Sequence, residues 1–274
     1  LNIPNSVESI GNCAFDGCKG FKGSLTIGSS VKSIGFNAFS GCSGFTGDLI
    51  IPNSVTSIDV EAFSGCSGFT GSLIIGNSLE SIANYAFSGC SGFKGNLIIS
   101  NSVKSIGDNA FEGSFVYINS LTIGSSVESI GIAAFKGCGG FRSLTIPNSV
   151  KNINGRAFQG CVNFHGSLTI PNSVTFIGPY AFDGCDGIMD LTIGSSVKTI
   201  DKLAFQGCQG VTNIKVKPGT PPRLSNSDAF NGMLRLKTIT VPYGCGDAYK
   251  TQKTWTSYAG MITEDIVYDL TVTS

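Results

Sequence analysis

The chain has 274 residues, zero formal net charge at neutral pH and 13% charged residues, about half the ordinary share, whereas its 37 glycines are roughly double it. The absence of a basic run excludes the electrostatic footprint of a nucleic-acid binder. No apolar stretch approaches the ~20 residues that a membrane-spanning helix requires, so no transmembrane segment is expected.

From its first residue the chain repeats itself. A leucine opens each unit at Leu1, Leu25, Leu49, Leu73, Leu97, Leu121, Leu144, Leu168 and Leu191, a period of 23 or 24 residues, and an Ala-Phe pair recurs from Ala14 and Phe15 to Ala229 and Phe230. Such a period means stacked supersecondary units, none of which buries its apolar face without its neighbours. One elongated repeat domain of about ten turns is therefore expected over residues 1–242, with a cap and tail over 243–274. The chain starts inside a unit without a charged or apolar leader, so a targeting segment is expected to be either absent or cut away.

Within residues 24–47, Leu25, Thr26 and Ile27 alternate inward and outward as a short strand. Gly28, Ser29 and Ser30 form a turn by composition, as do Pro52, Asn53 and Ser54 one unit later. Residues 31–35 follow as a second β-prone segment with Val31 and Ile34 inward, so stacking predicts two parallel sheets. Ala38, Phe39 and Cys42 have the spacing of one helical turn closed by glycine. Phe45 then plugs the core, in a slot held elsewhere by Phe21, Phe69, Phe93, Tyr117, Phe141, Phe164, Ile188 and Val211.

Eight of the ten cysteines, Cys18, Cys42, Cys66, Cys90, Cys138, Cys161, Cys185 and Cys208, share one slot three residues after the phenylalanine. Neighbouring rungs stack ~4.8 Å apart with parallel side chains, whereas a disulfide needs converging Cβ atoms near ~3.8 Å. The ladder is therefore expected to be buried free thiols, and Ser114 fills its place in the fifth unit without stranding a partner. One thiol per rung in a straight row makes no tetrahedral metal cage. Cys13 and Cys245 fall outside the ladder, Cys13 in an exposed slot that also holds Asn37, Glu61, Tyr85 and Arg156.

After Val211 the rhythm breaks at Pro218, Pro221 and Pro222, and Met233 takes the cysteine slot. A last strand is expected at residues 238–242. Beyond it, Ala248, Tyr249, Trp255, Tyr258 and Ile262 read as a helix whose aromatic side chains cover the open end of the core, as a terminal cap must. Residues 263–274 read as an extra strand or a tail.

The string Leu-Thr-Ile-Pro-Asn-Ser-Val-x-x-Ile-Gly-x-x-Ala-Phe-x-Gly-Cys resembles the BspA-like, or Treponema pallidum-type, leucine-rich repeats over roughly residues 1–242. The Pro, Tyr and Trp ending is similar to that of Bacteroidetes members. The resemblance implies a β-rich leucine-rich-repeat solenoid of the α/β class. It also implies a curved right-handed superhelix with the Leu-x-Ile strands on its concave face, and cell-surface proteins of host-associated bacteria as the context. Some members are implicated in adhesion to matrix proteins or other microbes. The family has no fixed binding motif, so no functional residue carries over.

A solenoid exposes whatever varies at fixed slots. The outward position of the first strand reads Asn2, Thr26, Ile50, Ile74, Ile98, Thr122, Thr145, Thr169 and Thr192, so Ile50, Ile74 and Ile98 form an apolar strip on a threonine-lined face. Asp48, Ser72 and Asn96, two residues before each isoleucine, are the expected polar rim. The competing explanation is that isoleucine is a good strand former and that units were duplicated. The outward slot of the second strand alternates in sign through Glu80, Lys104, Glu128 and Lys151, a pattern of cross-rung support and solubility.

Catalysis has little to draw on. His165 is the only histidine and sits in a loop slot, the buried thiols are inert, and the recurrent glycines lack the lysine and hydroxyl of a phosphate loop. No enzyme, cofactor or metal is expected. The expected function is an extracellular or cell-surface recognition and adhesion module, a monomer that binds a host or microbial protein or glycan. The alternative is a passive spacer.

Overall fold

In a computed structural model, residues 1–117 and 120–266 are described. They form a parallel β-solenoid of about 11 turns in which most turns contribute two short strands; residues 144–146 form none, and the two expected rows of strands are divided among five sheets. The first strands, such as Leu49–Ile51, Leu73–Ile75 and Leu97–Ile98, pair in parallel with identical positions in register, Leu49 on Leu73 and Leu73 on Leu97. The second strands, such as Ser33–Ile34 and Ser57–Ile58, do the same. The pairing register equals the repeat length, so every slot of the sequence becomes a row running along the solenoid.

Two rows of rings fill the core. Phe39, Phe63, Phe87, Phe111 and Phe135 stack at centroid separations of 5.2–5.5 Å with nearly parallel planes, and Phe45, Phe69 and Phe93 make a second row at 5.6–5.8 Å. All of these rings are fully buried. Offset stacking adds ~0.5–1.5 kcal/mol per pair to the burial of each ring. The glycine before the plug allows the turns to close up: a Cβ on Gly44 would lie 2.0 Å from the Phe21 carbonyl oxygen.

The fifth unit departs from the expected plug. Ser114, Phe115, Val116 and Tyr117 stand where other units read Cys-x-Gly-Phe; a Cβ on the equivalent Gly92 would lie 2.3 Å from the Ser67 carbonyl oxygen, so a valine placed as these glycines are would strike the preceding turn. The chain turns early instead. Phe115, with φ of 55°, enters the row between Phe93 and Phe141, while Tyr117 is 69% exposed.

The Ala-Phe segment is tighter than the expected helical turn. Within it, i→i+3 bonds from the Ala38, Ser40 and Cys42 N–H groups alternate with bonds to the next turn, Phe39 N–H to Ala62 O at 2.8 Å and Gly41 N–H to Ser64 O at 2.7 Å. This alternation requires left-handed backbone at Asn37 and Gly41, and the first of these slots is non-glycine in turn after turn: Cys13, Glu61, Tyr85, Ala133, Arg156 and Leu203 all have φ of 53–59°. Among the described residues, α-helix is confined to Gly246–Thr251.

The thiol row is buried except at its end. Cys42 through Cys208 are buried free thiols, whereas Cys18 is only half-buried because no earlier turn covers it. Each buried thiol donates to the phenylalanine carbonyl of the preceding turn, Cys66 to Phe39 O at 3.0 Å and Cys138 to Phe111 O at 3.0 Å. Ser114 reproduces the bond to Phe87 O at 2.6 Å and accepts from the Cys90 N–H at 2.9 Å. Burial pushes the Cys42 thiol up to about 11 and Cys90 and Cys208 to about 12.

The C-terminal cap is two short helices rather than one. Gly246–Thr251 ends at Gln252, and a 3₁₀ turn runs over Thr256–Met261. Its aromatic side chains latch onto the proline-rich segment that breaks the repeat: Tyr249 OH donates to Pro218 O (2.7 Å) and Trp255 Nε1–H to Pro222 O (2.7 Å). Tyr258 OH donates to Ser227 O (2.6 Å). Ile262–Glu264 then extends the first sheet by pairing with Thr238–Val241. From residue 267 the expected tail lies outside the described residues.

Candidate functional site

The structure brings the isoleucine strip together. Ile50 pairs with Ile74, Ile74 with Ile98 and Ile98 with Thr122, and the three isoleucines are 51%, 48% and 59% exposed. Strand alternation fixes this direction: Leu73 and Ile75 face the core on either side of Ile74. Ile74 and Ile98 floor an open groove of about 1170 Å³, and Ile50 flanks it one rung away.

The rim is polar and uncharged. Ser72 and Asn96 line one side of the groove as expected from the sequence. Asp48 does not line it: its Oδ1 accepts the Ser72 N–H at 2.6 Å, which turns the carboxylate along the solenoid. Gly71 makes room for that bond, since a Cβ there would lie 2.1 Å from Asp48 Oδ1.

The other rim was not read from the sequence. Asn77, Asn101, Ser100 and Ser102 line it, all from the turn that follows each first strand. The signal was present, because an asparagine follows each isoleucine by three residues at Asn53, Asn77 and Asn101. These side chains also link the turns: Asn53 Oδ1 accepts the Asn77 N–H at 2.9 Å, and Asn101 Oδ1 the Ser125 N–H at 2.8 Å.

The charge row on the second sheet closes as paired rungs, Lys32 to Glu8 at 2.9 Å, Lys104 to Glu80 at 2.9 Å and Lys151 to Glu128 at 3.1 Å. The Lys104 bond lowers the Glu80 carboxyl and raises the lysine in return. His165 is exposed, with Nδ1 against the Asn163 carbonyl oxygen. Among the described residues no three His, Cys, Asp or Glu side chains gather as metal ligands, and no helix is long and apolar enough to cross a membrane.

The sequence matches the family described as the BspA type leucine rich repeat region, in six copies, over residues 1–71, 69–165 and 128–251. A search of curated proteins finds no match. Among solved structures, the chain is similar to a leucine-rich cell surface protein from Faecalibacterium prausnitzii at 27% identity (TM-score 0.53), over 96% of this chain and 77% of that one. It is also similar to a leucine-rich repeat protein from Bacteroides ovatus at 25% identity (TM-score 0.54), over 97% and 77%. The pneumococcal vaccine antigen PcpA shares the fold at 20% identity (TM-score 0.62), over 97% of this chain and 67% of that one. With the repeat matched along most of its length and its turns stacked in register, the chain belongs to the BspA-type leucine-rich-repeat family.

Proposed function

We propose that the protein is a cell-surface recognition module that holds a protein partner of host or microbial origin against its Leu-x-Ile face. The observation that carries this reading is the groove floored by Ile74 and Ile98, flanked by Ile50 and rimmed by uncharged serine and asparagine side chains. Protein interfaces place apolar anchors at the centre and polar groups around them, and the neutral rim favours an uncharged, aliphatic-rich segment of the partner. The resemblance to a leucine-rich cell surface protein of a gut bacterium agrees with an extracellular setting.

The test is the triple variant Ile50→Thr, Ile74→Thr, Ile98→Thr, presented with arrayed host and bacterial surface proteins. Threonine already fills this slot at Thr26, Thr122 and Thr169, so the variant is expected to fold. Binding is expected to weaken at least ~10-fold, about 1.4 kcal/mol. Full affinity in the folded variant would discard this face, and no partner at all in a broad array would favour a spacer.

A further inference from the structure

A second surface, on other turns and around the second sheet, carries a different chemistry. Four surface lysines face a glutamate on the neighbouring turn, Lys32–Glu8, Lys104–Glu80, Lys136–Glu112 and Lys151–Glu128. Around Tyr180 two cations gather at one aromatic ring instead. The Arg156 guanidinium lies 5.5 Å from the Tyr180 ring centroid and the Lys202 ammonium 6.0 Å from it. Among the described residues neither cation is within ion-pairing distance of a carboxylate. Asp201, the neighbour of Lys202 in the chain, turns its Oδ1 to the Lys202 backbone N–H at 2.7 Å.

These three side chains border a cleft of about 400 Å³ whose remaining walls include Phe176, Pro179 and the exposed Ile132. Arg156 and Tyr180 occupy the same left-handed slot on successive turns, with φ of 59° and 57°, so rigid backbone sets where both side chains leave the surface. Two like charges gathered at one ring repel each other. The quadrupole of the ring offsets part of that cost, and a bound anion would remove the rest.

We infer that this cleft binds a carboxylate-bearing ring, the uronic-acid unit of an acidic saccharide. Charge complementarity fixes the anion: the planar Arg156 fork suits a carboxylate, and Lys202 supplies a second positive point. Phe176 and Pro179 supply apolar walls for the C–H face of a pyranose, which a uronic acid carries next to its carboxylate, while the Tyr180 ring holds the two cations in place. The volume lies at the lower end of the ~300–1,000 Å³ common for small-ligand clefts, which suits one small ring unit rather than a folded epitope.

The test is titration calorimetry of the full chain with a short oligogalacturonate, a neutral oligogalactose of the same length and a polyglutamate peptide of matched charge. The acidic saccharide is expected to bind, and the Arg156→Ala, Lys202→Ala double variant to bind it at least ~10-fold more weakly. Raised salt should weaken it as well. Lys202→Glu, at an exposed position, serves as the variant least able to disturb folding and should lose binding too. Equal binding of the neutral saccharide, equal or tighter binding of polyglutamate, unchanged affinity in the double variant, or no binding of oligogalacturonate would each overturn the inference. The triple isoleucine variant should bind oligogalacturonate normally, so the two surfaces succeed or fail separately.

Discussion

Replacing Phe87 by alanine tests the stacked core most directly. The ring is fully buried, 5.5 Å from Phe63 and 5.5 Å from Phe111, at interplanar angles of 4° and 6°. Burying a phenylalanine removes ~150–250 Å² from water, equivalent to ~4–6 kcal/mol at ~25 cal/mol per Å². Alanine keeps a small part of that, while the gap between two fixed neighbouring rings adds a cavity cost. The expected loss is ~3–5 kcal/mol. Lys104→Ala is the control: it removes a 2.9 Å ion pair whose partners are 64% and 71% exposed and screened by solvent, and should leave the unfolding midpoint nearly unchanged. Both variants are to be unfolded in urea, followed by far-ultraviolet circular dichroism and by the fluorescence of Trp255. Each turn touches only its neighbours, so the dichroism midpoint of Phe87→Ala should fall further than the signal from Trp255, which sits in the distant cap. Equal midpoints for the two variants would show that the inward and outward slots have been exchanged.

The other expectations concern thiols, backbone and the cap. A thiol reagent should modify Cys13, Cys18 and Cys245 in the native protein and all ten cysteines in denaturant, with the same counts after reductant; any buried rung that reacts natively would contradict the ladder. Ala133→Gly, at a left-handed position with φ of 53°, should stabilise the chain by ~0.5–1 kcal/mol, and a lower melting temperature would argue against strain in that slot. Trp255→Phe should cost ~1–3 kcal/mol in urea unfolding, because it leaves the Pro222 carbonyl without its donor. Glu264 accepts the Gly244 N–H at 2.9 Å and the Gly246 N–H at 2.7 Å, which together hold its carboxyl below the usual 4.5. A folded-state value below the unfolded one gives stability that is present above the unfolded value and lost as pH falls through the folded one. The cap should therefore loosen in acid below about pH 4.5, as read by Trp255 fluorescence, and Glu264→Gln should flatten that profile.

The period, the inward Leu-x-Ile pattern and the aligned Ala, Phe and Cys slots determined the solenoid from the sequence alone, because identical units stacked in register must place identical residues over one another. For the same reason the isoleucine strip and the alternating charge row were legible before any coordinates: a slot that varies along a fixed register is a surface. What the tertiary structure decided are the places where one unit depends on the shape of the next. The plug passed from Tyr117 to Phe115 because Val116 cannot make the close approach that glycine makes in neighbouring turns. Left-handed backbone at residues as unlike as Glu61, Tyr85 and Leu203 follows from alternating intra-turn and inter-turn hydrogen bonds, which no single residue type announces. Asp48 turned away from the groove to hold the Ser72 N–H, and Asn77 and Asn101 formed the opposite rim, because side-chain direction at a turn is set by the backbone donors of the adjacent rung. The meeting of Arg156 and Lys202 at Tyr180 arises in the same way, from residues 24 and 22 positions away from the ring that only stacking brings together.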